Sequence, residues 1–272
     1  MELITNTKAL IKACEGLGID YEITDKAGIS VRVGDKFFIN GRLPFNNTSL
    51  INIANNKWLT SEIFEKEIKM PKTIGYVDPD GEERYKPYIE KDNIDGIIED
   101  IESNMSYPVV VKMNQGRTGI NVYKCNSREE VIGSLRKIYD KQSKYYDYIA
   151  IVQEYLDIKR EFRVIWFKEE IIFLYEKVVQ GEKENISPLH NDGAKAVIVN
   201  GDIKEKIKDF LNQSETLKKF EYLGIDIALL ADDTMELLEI NGVPGFSYLV
   251  RDNGMESLVS IYTSILKRIW NT

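Results

Sequence analysis

Two periods of apolar and polar residues succeed one another along this chain, and each change of period marks an element. Leu3, Leu10, Ile11, Cys14 and Leu17 recur at helical spacing and close on Gly16 and Gly18, which predicts an opening helix. Tyr21 to Asn40 reads as two or three short strands broken at Lys26-Ala27-Gly28 and Gly34-Asp35, and a loop over 41–49 follows. Ile53 to Glu67 reads as a helix with Lys57 near its start, and Pro71 and the Asp78-Pro79-Asp80-Gly81 turn end that unit. Residues 81–92 are polar and read as a mobile loop, and Ile94 to Ile101 reads as an amphipathic helix.

Beyond that helix the period shortens again. Val109 to Val111 is a buried strand ending in Lys112, then comes a turn with Gly116 and Gly119, and a second strand starts near Ile120. Such a glycine-bearing tip beside a strand-end Lys folds over phosphates in some proteins and is a plain hairpin with a surface Lys in others. The order is neither that of a P-loop nor a GxGxxG opening a helix. Ser127 and Glu130 form a capping box that opens a helix to about Lys141. Tyr148 to Gln153 is an apolar strand followed by Glu154-Tyr155-Leu156. Arg160 to Phe167 and Ile171 to Val179 alternate strictly and predict an antiparallel pair turning at Lys168-Glu169-Glu170. Glu161 and Arg163 share one face of the first strand and Lys177 lies on the second, a pattern that also suits a solvated face with an internal ion pair. Residues 180–200 form a long polar loop in which His190 reads as a surface residue. Lys204 to Leu223 and Met255 to Trp270 read as amphipathic helices.

The stretch from Gly224 to Gly245 breaks the pattern. Ile225 to Leu230 and Met235 to Ile240 are apolar runs joined by Ala-Asp-Asp-Thr, which predicts a hairpin. Centred between Asp232 and Asp233, it sets Asp226 directly across from Glu239, with Asn241 on the face of Glu239. Two close carboxylates in an apolar hairpin need shifted pKa values or a cation. An all-oxygen donor set suits a hard cation such as magnesium. The alternative places one acid in solvent and pairs the other with a Lys.

Composition narrows the field. With 36 basic and 44 acidic residues among 272, the net charge is −8, which argues against nucleic acid or an anionic membrane as the main partner. Two cysteines, Cys14 and Cys125, read as reduced thiols of a cytoplasmic protein. No signal-like start and no apolar run approaching 18 residues is present, so no membrane span is expected. A single histidine excludes a multi-His metal site and makes a His-dependent triad a poor candidate.

Five motifs in order carry a family resemblance: Asn56-Lys57; Lys112 with its glycine loop; Gln153-Glu154-Tyr155-Leu156; Glu161-x-Arg163; and Asp226 with Glu239-Ile240-Asn241, followed by Pro244-Gly245. From Asn52 onwards the chain resembles the ATP-grasp superfamily, nearest the branch of ribosomal-protein glutamate ligases, cyanophycin synthetases and bacterial glutathione synthetases. The resemblance implies an α+β ATP-grasp fold in which two α+β subdomains clasp ATP. These would be a short N-terminal cap domain at 1–52, a central lid subdomain at 53–156 and a C-terminal subdomain at 157–272 holding the magnesium site. It further implies that Lys57 and Lys112 hold phosphates, that Gln153, Glu154, Tyr155 and Leu156 meet the adenine edge, and that Glu161 binds the ribose. Asp226, Glu239 and Asn241 would hold Mg2+, or Mn2+ in its place, and Arg163 and Lys177 would face the transferring phosphate and the acyl intermediate.

The activity so implied is ATP-dependent joining of a small-molecule or peptide carboxylate to an amine through an acyl phosphate. Such chemistry needs positioning and neutralised phosphate charge rather than a protein nucleophile. A thiol or hydroxyl acceptor and a non-catalytic nucleotide-binding module are the rival readings. Three features depart from the family pattern. Arg117 stands in the glycine loop, Lys177 replaces a common Arg, and the opening domain is short enough that a homodimer partner could complete the acceptor site.

Overall fold

The computed structural model describes residues 3–116, 119–179, 189 and 193–270. Arg117 and Thr118 of the glycine loop, His190, and most of the 180–200 loop lie outside them. Helix α1 (Thr5–Leu17) ends on Gly18, whose left-handed φ of 65° closes the last turn. Strands β1 (Tyr21–Ile23), β2 (Ser30–Val33) and β3 (Lys36–Ile39) form a small antiparallel sheet. Helices α2 (Thr48–Ala54) and α3 (Lys57–Phe64) follow, then β4 (Thr73–Val77), a 3-10 helix at Glu83–Tyr88 and α4 (Ile94–Asn104). Next come β5 (Val109–Met113), β6 (Val122–Cys125), α5 (Arg128–Ile138), β7 (Ile149–Glu154), β8 (Ile158–Phe167), β9 (Glu170–Val178) and β10 (Lys195–Ile198). The chain closes with α6 (Asp202–Leu211), α7 (Glu215–Lys218), β11 (Tyr222–Leu230), β12 (Met235–Asn241), α8 (Ser247–Asn253) and α9 (Met255–Trp270).

Two larger antiparallel sheets frame the molecule, a four-stranded one in the order β4-β7-β5-β6 and a five-stranded one in the order β10-β9-β8-β11-β12. Helices α4 and α5 cover one face of the four-stranded sheet, packing Ile97, Ile101, Leu135 and Ile138 on Val109, Val111 and Val152. The alternate residues Val110, Lys112 and Gln153 therefore point to the opposite face. One face of the five-stranded sheet carries Phe162, Val164, Trp166, Ile225 and Ile227 against Phe64, Phe210 and Phe220. Its other face is divided. Ile165, Phe167, Tyr175 and Tyr222 are buried with Leu10, Val31, Phe38, Ile261 and Ile265 of α1, the small sheet and α9. Two residues further along the same strands stand Arg163, Lys177 and Gly224, and then Glu161 and Asp226.

The sequence pattern misses several elements. The helix expected over 53–67 is two helices, because Asn47 and Asn56 each cap a new start, accepting from Leu50 N and Leu59 N. The helix expected over 204–223 breaks after Leu211, where Ser214 caps α7 and bonds Glu67, and the chain is already a strand at Tyr222. Strands β4 and β10 and helix α8 are too short to show a period. The polar stretch 81–92 holds the 3-10 helix. Residues assigned to the lid do not all pack with it: Ala54, Phe64 and Ile68 belong to the core beneath the five-stranded sheet. The opening segment packs as a cap, sharing a core with α9 and that sheet.

The two larger sheets meet at the start of α3. Asn114, just past β5, is fully buried; its Oδ1 accepts from Trp58 N at 2.9 Å and its carbonyl from Lys57 N at 3.4 Å. An Asn114→Ala change leaves the Trp58 amide unsatisfied. It is expected to lower stability by about 1–3 kcal/mol, read from urea denaturation.

Candidate active site

A cleft lies between the two larger sheets. One side of it is apolar, walled by Val110, Val122, Leu156, Ile158 and Leu238. The Glu154–Leu156 segment crosses this side. Glu154 Oε1 accepts from Lys72 N at 2.6 Å, and Glu154 N donates to Lys72 O at 3.0 Å. Its carboxylate is thus tied to main chain, which leaves backbone groups and Leu156 to meet a flat apolar ligand. Lys124 Nζ sits 4.0 Å from the centre of the half-exposed Tyr155 ring on the rim.

The other side is charged. Lys112 Nζ donates to Gln153 Oε1 at 2.9 Å, and Gln153 Nε2 donates to Thr73 Oγ1 at 2.8 Å. This neutral relay aims the ammonium without cancelling its charge. Burial pushes the Lys112 pKa down to about 8, Glu239 opposing the shift and Lys57 adding to it. Lys57, the first residue of α3, donates to Gly116 O at 2.7 Å and lies 3.5 Å from Glu239 Oε1. Gly116 has to be glycine, since a Cβ there would come within 2.3 Å of Met113 Cγ.

Opposite stands a row of ions across the five-stranded sheet. Asp226 on β11 faces Arg163 on β8 and Glu239 on β12. Arg163 grips the Asp226 carboxylate with Nε and, at 2.8 Å, with Nη2, while Lys177 Nζ lies 2.8 Å from Asp226 Oδ1 and 2.5 Å from Glu161 Oε1. Burial pushes the Asp226 carboxyl up, but Arg163 and Lys177 outweigh it and hold the group at about 2. Burial raises the Glu161 pKa against the pull of Lys177. The Arg163 and Lys177 pKa values rise because the neighbouring carboxylates outweigh burial.

The Asp226–Glu239 pairing depends on a bulge. From Leu229 to Ile227 the partners are Met235, Glu236 and Leu237, a register centred on Asp232 rather than between Asp232 and Asp233. Continued, it would put Glu239 opposite Ile225 on the apolar face. A bulge between Asp226 and Ile227 skips Leu238 and restores Asp226 to Glu239 and Gly224 to Asn241. Gly224 also has to lack a side chain, because a Cβ would lie 2.5 Å from Pro244 Cβ in the loop that follows.

Of the residues singled out in the sequence, Lys57, Lys112, Gln153, Glu154, Tyr155, Leu156, Glu161, Lys177, Asp226 and Glu239 all border the cleft. Arg163 and Asn241 do not; Arg163 stands behind Asp226, and Asn241 Nδ2 is buried without a hydrogen-bond partner. Among the described residues no three His, Cys, Asp or Glu side chains cluster as metal ligands, so the candidate set is two carboxylates and one amide. Sequence reasoning missed Asn114, Thr73 and the inserted Leu238. Asn114 lay in view two residues past Lys112, but nothing in the sequence marked the other two.

A clasp of two antiparallel sheets over a cleft that is apolar on one side and ionic on the other defines an ATP-grasp protein. The family model of the RimK-like ATP-grasp domain matches residues 54–265, most of the chain, and the chain belongs to that family. No curated protein matches it in sequence. Among solved structures it is similar to VanG D-Ala:D-Ser ligase from Enterococcus faecalis, with a TM-score of 0.57, 12% identity, and 79% of this chain and 61% of that one covered. D-alanine–D-alanine ligase from Bacillus anthracis gives a TM-score of 0.54, 19% identity and coverage of 81% and 70%. N5-carboxyaminoimidazole synthase from Aspergillus clavatus gives 0.51, 18% identity, and 73% of this chain but 46% of that one. At these identities the likeness is one of fold, and the chain spans about three-fifths of the VanG ligase and under half of the synthase. Both cysteines are free and buried, and among the described residues no helix is long and apolar enough to cross a membrane.

Because the Lys112 ammonium loses its proton above about pH 8, affinity for ATP should fall as pH rises from 7 to 9.5. Calorimetric titration across that range measures it, and a flat dissociation constant would remove Lys112 from the phosphate site.

Proposed function

We propose that this protein is an ATP- and magnesium-dependent carboxylate–amine ligase that forms an amide or peptide bond and releases ADP and phosphate. The observation that carries this reading is the meeting of two unlike halves in one cleft. A planar apolar base fits between Val110, Val122, Leu156 and Leu238, and its polyphosphate would then run towards Lys112 and Lys57. At the far end of that path stand Asp226 and Glu239. Family membership supports the nucleotide.

The donor types, two carboxylates and one amide, suit a magnesium ion, which would compete with Arg163 and Lys177 for the Asp226 oxygens. Asp226 stays ionised at any working pH, Glu239 stands directly across from it, and the Asn241 amide has a buried nitrogen without a partner. That amide is therefore not held in place by its nitrogen and can turn its oxygen to a cation. Held by Asp226, Glu239 and Asn241, magnesium would supply positive charge to neutralise a transferring phosphate. Lys57 and Lys112 would hold the β- and γ-phosphates, and Glu161 the ribose hydroxyls. A substrate carboxylate oxygen then attacks the γ-phosphorus, the bond to ADP breaks, and an acyl phosphate forms. The amine nitrogen attacks the acyl carbon, inorganic phosphate leaves with the bonding pair, and the amine sheds a proton. Lys177 and Arg163 supply positive charge on this side of the cleft, reached through Asp226. The Gly242–Ser247 loop, folded against Gly224, would border the acceptor.

Glu239→Gln should abolish magnesium-dependent ADP release and leave the fold intact, because Glu239 is the more exposed member of the trio's two acids. Asp226→Asn should abolish turnover too, but it also strands two buried cations and is expected to cost about 3–5 kcal/mol of stability. Lys112→Ala should weaken ATP binding about 10- to 100-fold. The reading itself is tested by incubating the protein with ATP, magnesium and panels of acids and amines while ADP and phosphate are measured together. Equal release that needs both an acid and an amine supports it. Release with thiols or alcohols in place of amines, or tight ATP binding with no release at all, would overturn it.

A further inference from the structure

Just before β7 stands Asp147, a carboxylate that is 5% exposed and does not line the cleft. Its own N–H donates to Ile138 O at 3.0 Å, which pins it to the end of α5. Its two oxygens go different ways. Oδ1 accepts from Ile149 N at 3.1 Å, a local turn that Asn or Ser would also make. Oδ2 accepts from Gln115 N at 2.8 Å, across 32 residues of sequence. Burial pushes the Asp147 carboxyl up, and the two amides and the charge of Lys57 pull it part of the way back. A carboxylate taken out of water is unfavourable unless it is hydrogen-bonded. This one is matched by main-chain donors, one of them at the root of the glycine loop.

Gln115 is the middle of three consecutive residues held from different sides. Asn114 N donates to Ile149 O at 3.2 Å, and Asn114 accepts from the first two amides of α3. Gly116 O accepts from Lys57 Nζ at 2.7 Å, and the same ammonium lies 3.5 Å from Glu239 Oε1. So little chain separates the Gln115 amide from the Gly116 carbonyl that the carboxylate fixing the first limits where the second can stand. Resting on the ATP-binding reading above, we propose that Asp147 is a positioning residue for the polyphosphate. It holds the root of the glycine loop so that the Gly116 carbonyl keeps the Lys57 ammonium aimed into the cleft. Of the two partners of that ammonium, only the Glu239 carboxylate remains when the loop root is released, and there its charge is cancelled. A neutral Asn at position 147 is no substitute, because it offers one oxygen for two N–H donors and turns an NH2 towards the other.

The test is calorimetric binding of ATP and, separately, of adenosine to the full chain and to its Asp147→Asn, Lys57→Met and double variants, with magnesium present throughout. Asp147→Asn should lose about tenfold in affinity for ATP and keep its affinity for adenosine, which carries no phosphate. A loss of general structure would weaken both. Because Asp147 acts through Lys57, the double variant should lose about as much as Lys57→Met alone rather than the product of the two losses. Losses that multiply, an equal loss for adenosine, or unchanged ATP binding by Asp147→Asn would overturn the proposal. If Asp147→Asn does not fold, Asp147→Ser, small enough to admit a water between the two amides, carries the same comparison. Wild-type protein that binds no ATP sinks the ligase reading, whereas wild-type binding with the Asp147 variant unaffected sinks only the positioning role.

Discussion

The bond between Asp226 and its two cations, Arg163 and Lys177, is the interaction on which this molecule turns. It sits on a sheet face that is hydrophobic at one end and ionic at the other. Burying a lone carboxylate there would cost several kcal/mol, so the charges are affordable only as a set. Glu161, Lys177, Arg163 and Asp226 form that set, two of each sign, on three adjacent strands. The same pairing keeps Asp226 ionised and fixes Lys177 at the wall of the cleft. Stability and the proposed chemistry therefore draw on one array.

Around that array the fold works as a division of one surface. Tyr222, Ile165 and Phe167 continue the strands of the ionic row and are sealed by α1, α9 and the small N-terminal sheet. The N-terminal segment thus closes the apolar end of the face, and the four-stranded sheet roofs the ionic end. Lys57 and Asn114 stitch the roof to the floor, since α3 packs in the lower core while its first amides bond to the end of β5. Movement of the roof would have to bend at this seam, next to the contact of Lys57 with Gly116.

Charge distribution inside the cleft also separates roles. Lys112 is aimed by a neutral amide and is lowered to about 8, whereas Lys177 is locked between carboxylates and raised. Two lysines of one cleft therefore stand in opposite surroundings, one beside a neutral amide and the other between two carboxylates.

Much of the site was legible in the chain because its chemistry violates local pattern. Acids within apolar runs, a Lys closing a valine strand and a Glu-x-Arg on a strictly alternating strand all stand out against periods of two and 3.6. Long elements such as α9 and the β8–β9 hairpin could be read for the same reason, having enough turns or alternations to show a period. Three things needed the tertiary structure. Short pieces such as β4, β10 and α8 carry too few residues to show one. The breaks at Asn56 and Ser214 rest on side-chain caps that the helical pattern conceals. The pairing of Asp226 with Glu239 depends on a bulge at Leu238 that no local signal announces, because which residue a strand skips is decided by packing across the sheet, not by the strand's own sequence.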